Sequence, residues 1–418
     1  MSMVLNVSPA AESLAAGPAP VASSAIFSRK PRSRFPLFAL MLAALALPFC
    51  GGVAMAEQAS APAPATQASA PSPASGPVTV TDMMGRTVTL PAPAKKIVLS
   101  ESRHIFTLGL LDKNPLEWIT AWGDDLQRYS PATYEALRTR FPQADALPLV
   151  GRTTGGSFSM EAVIAAKPEL VIFTMYGPPP PGLDKLDAAG IPYVFVDFFQ
   201  KPLLKTVPSM RMLGQLLGRE KEAEEFIAFY EQHMGDVAAR VAKAGTRPRV
   251  LFHLNPNGKD CCFSSGPGNM SDFIAAAGGK NISEDKIPGS AGKLSLEYVL
   301  AEDPDYYLAG GGSTVAPTGL RIGPGVAPEL AQETFNGVLQ TPGIASLRAV
   351  KNGQACGIWL FYFDNPLFFM GVEALAKMFH PEAFADVDPE KTAQEMNARF
   401  LAFPLEGTFR VTAGMPGK

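Results

Sequence analysis

Gly156-Ser-Phe-Ser159-Met-Glu161-Ala-Val-Ile-Ala-Ala-Lys-Pro168-Glu-Leu-Val-Ile-Phe173 returns 136 positions later as Gly292-Lys-Leu-Ser295-Leu-Glu297-Tyr-Val-Leu-Ala-Glu-Asp-Pro304-Asp-Tyr-Tyr-Leu-Ala309. Gly, Ser, Glu, Val, Ala and Pro coincide, and several other pairs are like for like. Each copy reads as a helix entered at a serine whose hydroxyl accepts an orphan backbone N–H. Its Val and its Ile or Leu face a sheet, and the proline closes the helix before a buried strand. One supersecondary unit is used twice, so the chain is expected to contain two similar lobes.

Between the copies the pattern changes. Over Leu203–Lys243, Leu213, Leu217, Phe226, Ile227, Tyr230, Met234, Val237 and Val241 recur near helical spacing, and Glu220, Lys221, Glu222, Glu224 and Glu225 form a charged face. Gly218 interrupts this stretch, which predicts a short helix and then a long one from about Arg219 to Ala244, roughly 35–40 Å at 1.5 Å per residue. On either side, short apolar runs alternate with helical stretches. Ile97–Ser100, Trp118–Trp122, Leu170–Thr174 and Tyr193–Asp197 read as strands before the long helix. Val250–Leu254, Cys261–Ser264, Tyr306–Ala309 and Ala355–Phe361 read as strands after it. Val78–Thr81 and Thr87–Leu90 alternate with period two around Gly85 and predict a strand–turn–strand entry. The fold class is therefore α/β, with mostly parallel sheets in two lobes joined by one long helix and a ligand cleft between them.

Composition sets the limits. The 418 residues are 47% hydrophobic and 18% charged, with a formal net charge of −3. That is globular, and no basic face is offered to a nucleic acid. Arg29, Lys30, Arg32 and Arg34 precede the apolar run Phe35–Phe49 and Ala54-Met55-Ala56, the layout of a secretory signal with a cleavage site. That run is short against the roughly 20 residues a membrane span needs. Residues 57–77 are mostly Ala, Pro and Ser and read as an extended tether. The expected division is 1–56 signal region, 57–77 linker, 78–202 first lobe, 203–244 connecting helices and 245–418 second lobe. Export would place the protein in the periplasm.

These features together resemble the periplasmic solute-binding proteins that serve ABC importers of iron–siderophore, haem and cobalamin. The resemblance is carried by Thr81-Asp82-Met-Met-Gly85-Arg86-Thr-Val-Thr-Leu-Pro91, by Ala94-Lys-Lys-Ile97-Val98, by Ser159-x-Glu161 with Lys167-Pro168-Glu169-Leu170-Val171, and by Gly266-Pro-Gly268 with Ala277-Gly278-Gly279-Lys-Asn281. It runs over 78–405. It implies two α/β lobes on a stiff helical hinge, with small closure, and one glutamate per lobe docking on arginines of the membrane permease. Glu161 and Glu297 fall on those positions. Read without the resemblance, an acid in the first turn is also simple complementarity to the helix dipole.

In α/β lobes, ligands sit outside the carboxyl ends of strands. Applied to the strands above, that rule selects Arg103, His104, Trp122, Arg152 and Tyr176 in the first lobe. In the second it selects His253, Arg321, Trp359 and Tyr362. Arginine and aromatic groups suit a large, flat, anionic chelate, since guanidinium pairs with oxygen anions and rings supply apolar area. A ferric siderophore is the leading expectation; haem, with His104, Tyr176 or His253 as axial ligand, and cobalamin are the alternatives. Each residue also has a plain reading: surface arginines, core tryptophans and, for His380, a helix end. His233 lies inside the long helix, away from strand ends. Cys261 and Cys262, read as neighbours in a strand, point to opposite faces, and a bridge from one of them to Cys356 stays open. With so few convergent ligands, neither a bare-metal site nor a resident cofactor is expected. No nucleophile elbow, phosphate loop or zinc-protease motif is present, so no catalytic residue is assigned; an exported enzyme acting on a small molecule is the competing class. The expected partners are a small-molecule metal chelate and an ABC permease, and the protein is expected to be a monomer.

Overall fold

Strand alternation decides how the two lobes meet. The computed structural model describes residues 76–154, 156–257, 261–313 and 318–414, so the signal region and nearly all of the linker lie outside the described residues. In the amino-terminal lobe, β1 (Val78–Thr81) and β2 (Thr87–Leu90) form an antiparallel pair. There follow β3 (Ile97–Leu99), β4 (Ile119–Trp122), β5 (Leu170–Thr174) and β6 (Tyr193–Val196). They make one parallel sheet in the order β4-β3-β5-β6.

The carboxyl-terminal lobe contains β7 (Arg249–Leu254), β8 (Phe263–Ser265), β9 (Lys280–Asn281), β10 (Ala291–Lys293) and β11 (Tyr306–Gly311). It continues with β12 (Gly323–Pro324), β13 (Ala355–Trp359), β14 (Gly407–Thr408) and β15 (Arg410–Thr412). The main sheet runs β15-β13-β11-β7-β9, parallel except for the edge strand β15. β8 pairs with β10, and β12 with β14.

Parallel sheets are covered on both faces, and here the period of two sends alternate side chains to different cores. Ile97, Leu99, Leu170 and Ile172 join one large apolar cluster, whereas Val98, Val171 and Phe173 form a second on the far face of the same sheet. In the other lobe Val250, Phe252, Leu308, Cys356 and Ile358 enter that same large cluster, and Leu251, Tyr307 and Ala309 a separate one. The inner faces of both sheets thus share a continuous core. Phe106 crosses it directly, edge-on to Trp359 with 6.5 Å between ring centroids and 5.5 Å from Phe403. The described chain belongs to one compact unit, Pro73–Lys418.

The connecting helices are Pro202–Leu217 and Glu220–Ala244. Gly218 ends the first in the left-handed region at φ +62, where a side chain is disfavoured. The second is about 37 Å long. Its buried stripe, Ala223, Phe226, Ile227, Phe229, Tyr230 and Val237, packs on the helix Phe368–Phe379 and on Phe400. Acids occupy its first turn and Lys243 its last, matching the helix dipole.

The repeat holds in backbone detail. Ser159 caps Met160–Ala165 and Ser295 caps Leu296–Glu302. In each copy the residue before the proline, Lys167 or Asp303, has positive φ, consistent with the steric exclusion of the helical region there. Each copy then delivers an interior strand of its own sheet, β5 or β11.

The cysteines depart from expectation: Cys261 and Cys262 are bonded to each other, and Cys356 is a buried free thiol. The ladder begins only at Phe263, so strand alternation does not separate the pair. Phe226, fully buried against Phe369 and Phe400, anchors the long helix. Its replacement by Ala should cost about 3–5 kcal/mol of unfolding free energy in urea denaturation; a loss under 1 kcal/mol would mean that the helix is held elsewhere.

Candidate functional site

Loops after the carboxyl ends of the strands enclose a cavity of about 570 Å³ between the lobes. From the amino-terminal lobe come three lining residues, Tyr176 after β5 and Phe199 and Gln200 after β6. The rest of the wall belongs to the other lobe, including Phe252, Asn255, Ser265, Asn269, Ser290 and Phe363. Rings and neutral polar groups dominate, and among the described residues no charged side chain lines it.

Local chemistry explains each position. Phe199 stands edge-on to Tyr176 at 5.1 Å and to Phe363 at 5.6 Å, so one aromatic wall crosses from lobe to lobe. Ser265 is held from behind by a buried polar network. Asn281 Nδ2 donates to Ser265 Oγ at 3.1 Å and to Ser271 Oγ at 2.9 Å, and Ser283 Oγ donates to the Ser265 carbonyl at 2.6 Å. Gly266 makes the turn possible, because a Cβ there would lie 1.9 Å from the Gly289 carbonyl oxygen. The motif Gly266-Pro-Gly268 and Asn281 are therefore parts of the cavity wall and its support.

Behind Tyr176 and Phe363 lies a buried charge cluster. Arg103 meets Glu101 at 3.0 Å, Asp125 at 3.0 Å and, from the opposite lobe, Asp364 at 3.4 Å. The Tyr176 hydroxyl donates to the same Asp364 carboxylate, and Thr153 donates to Glu101 at 2.7 Å. The guanidinium also lies 5.7 Å from the Phe363 ring centroid. One cation thus faces three carboxylates out of water, where unpaired charge is costly. Burial pushes the Asp364 carboxyl up to about 7, against the pull of Arg103. Burial likewise raises Glu101, and lifts Tyr176 far above the usual phenol range.

The nine residues selected from the sequence are scattered by this arrangement. Tyr176 alone lines the cavity. Arg103 sits one layer behind it, fully engaged by carboxylates. His104 is buried with Nε2 against the Thr174 hydroxyl, and burial, with Arg103 nearby, depresses it to about 3. Trp122 and Trp359 are core residues on the inner sheet faces. Arg152 pairs with Asp124 at 2.9 Å and donates to the Tyr129 hydroxyl at 2.6 Å. His253 is buried and meets the Tyr307 hydroxyl at 2.8 Å. Tyr362 is buried and packs edge-on to Trp359. Arg321 is exposed and lies outside the cavity lining. Glu161 and Glu297 are both exposed in the first turns of their capped helices. Glu161 differs in binding Lys185 at 2.6 Å, a hydrogen bond that lowers its carboxyl below the usual range.

The lining residues that the sequence reading did not single out are neutral and include Phe199, Gln200, Asn255 and Asn269, whereas Phe363 belongs to an aromatic run, Phe361-Tyr-Phe363, that the sequence offers either to the cleft or to the core. Gln200 and Asn255 do follow predicted strands closely, and that was the available signal.

The match to known proteins agrees with this geometry. Residues 110–358 match the family model described as periplasmic binding protein. A vitamin B12-binding protein of Pectobacterium atrosepticum is 28% identical over 178 residues, which cover 41% of this chain and 61% of that protein, under two thirds of its length. A vitamin B12-binding protein of Yersinia pestis is 25% identical over 54% of this chain and 72% of its own length. The crystal structure of the TroA-like periplasmic binding protein FepB from Veillonella parvula superposes with a TM-score of 0.75 at 28% identity, covering 81% of this chain and all of that one.

The charge cluster makes stability depend on pH. Unfolded, Asp364 releases its proton near pH 4; folded, it holds it to about 7. Its contribution is therefore complete below about pH 4 and lost as pH rises through 7. His104 acts in the opposite sense, costing stability as pH falls below about 6.5. Comparing Asp364→Asn with the parent cancels the histidine. Between pH 5 and pH 8 the variant should gain on the parent by about 2–3 kcal/mol in urea denaturation, and a difference independent of pH would show that Asp364 ionises normally.

Proposed function

This chain belongs to the periplasmic binding protein family, and from that premise we propose that it captures a ferric siderophore with an uncharged outer surface and hands it to an ABC permease. The protein is a binding component of transport, not an enzyme, and its family places it in the periplasm. The chemistry of the cavity wall carries the finer reading. Its volume of about 570 Å³ lies within the roughly 300–1,000 Å³ of small-molecule sites. Its rings offer apolar area, while Gln200 and Asn255 offer amides. A neutral chelate rich in carbonyl and amide groups meets those partners without leaving a charge unpaired.

The same wall argues against the anionic ligand that the sequence suggested. The guanidinium of Arg103 is consumed by carboxylates of the protein itself. Haem would bring propionates to a wall with no cation among the described residues, and His104 and His253 are both buried away from that wall. A corrinoid is the second reading, supported by the relatives named for vitamin B12; like a neutral siderophore complex it presents amides.

Delivery would use Glu161 and Glu297, one exposed acid on the equivalent helix of each lobe, as the matched contacts for basic groups on the permease.

Tryptophan and tyrosine fluorescence should be quenched by a ferric trihydroxamate complex with a dissociation constant at or below the micromolar range. Cyanocobalamin in its place would select the second reading, and silence toward both would defeat the substrate class. Reversing both charges, Glu161→Lys with Glu297→Lys, should leave solution affinity within twofold and reduce uptake in cells at least tenfold. Unchanged uptake would remove the docking assignment.

A further inference from the structure

Asn269 occupies the position before the helix Met270–Ala276 where an asparagine ordinarily caps the helix with its side chain, yet it makes no such cap. Its backbone is also held at φ 45 and ψ −111, a conformation that residues with side chains rarely adopt. Two local preferences are overridden at one residue, and that residue lines the cavity. Backbone strain of this kind persists where the surroundings enforce it, commonly at ligand sites.

The side chain shows what is gained. Asn269 Nδ2 donates to the carbonyl of Phe199 at 2.8 Å and to the carbonyl of Phe363 at 2.8 Å. Phe199 belongs to the amino-terminal lobe and Phe363 to the carboxyl-terminal lobe. Their rings stand edge-on at 5.6 Å and both line the cavity. Only the NH₂ end of the amide can serve two carbonyl oxygens at once, so the orientation of the group is fixed by chemistry. Next to Phe363, Asp364 makes the second crossing, to Tyr176 and Arg103.

We propose that Asn269 is the positioning residue of the solute site: by clamping the backbones of Phe199 and Phe363 it fixes the aromatic wall across the lobes and sets how long a solute stays bound. This rests on the cavity being the solute site, as argued above. The residue need not touch the solute to act; it fixes the groups that do.

Two variants separate this role from a structural one. Asn269→Asp keeps the shape but turns acceptors toward two carbonyl oxygens. Asn269→Gly relieves the backbone while removing the clamp, so the relief offsets the two lost hydrogen bonds and its melting temperature should stay close to that of the parent. Each is placed in full-length protein carrying spin labels at Thr139→Cys and Glu329→Cys, exposed positions on the two lobes. Without added solute, pulsed electron-spin measurements should show a broader distance distribution in both variants than in the parent. With the ferric trihydroxamate complex, or with cyanocobalamin if that is the probe the parent binds, dissociation should be about tenfold faster and association within twofold. The Gly variant is decisive, since a purely structural residue would leave release unchanged once the fold is intact. Unchanged distances and unchanged release in the Gly variant overturn the proposal. If neither probe binds the parent, the substrate reading fails, and the clamp then stands or falls on the distances alone.

Discussion

The continuous apolar core between the two sheets is the constraint on which the other features depend. Each parallel sheet must be covered on both faces. Alternate residues of β3 and β5 on one side, and of β7, β11 and β13 on the other, turn toward the same interior. The long helix Glu220–Ala244 completes that interior with Phe226 and Phe229, and the chain end returns Phe400 and Phe403 to it. With the inner faces joined in this way, the carboxyl ends of both sheets open onto one shared space, and the loops that follow them become its walls.

Within that space, the charge cluster and the cavity wall are segregated. Arg103 and its three carboxylates are withdrawn into the seam behind Tyr176 and Phe363, while the described residues of the wall are neutral. A buried cation with excess acid partners stabilises only in part, because desolvation consumes much of the attraction. Its more specific effect is to join the lobes, since Asp364 comes from one and Arg103 and Tyr176 from the other. Together with the amide of Asn269, it gives the junction polar contacts of defined geometry on top of the undirected contact of Phe106 with Trp359.

The architecture was legible because its signals are periodic and local. The duplicated segment, the strand runs and the long amphipathic stretch all appear within a few residues of where they lie in the molecule. Site residues were harder, and particular cases show why. Trp122 and Trp359 do end their strands as the rule requires, but parity turns both rings into the core, and parity at a strand end shifts with one residue of register. Cavity residues such as Phe199 and Asn255 lie just beyond the strands, in loops whose side-chain directions no periodicity sets. Arg103 looked like a ligand for anions because Asp364, 261 positions away, is invisible as its partner until the chain is folded. Glu161 and Glu297 are placed by the repeat itself, each in the first turn of a serine-capped helix, without any knowledge of the interior.

The lining of the cavity is lopsided: among the described residues, Tyr176, Phe199 and Gln200 are the amino-terminal lobe's whole share of it. On the reading proposed above, parting at the seam would cost a solute those few contacts and leave it seated on the larger portion. Unloading is then a matter of stripping one bowl rather than opening two equal jaws, and whatever receives the cargo has to work chiefly against the carboxyl-terminal side.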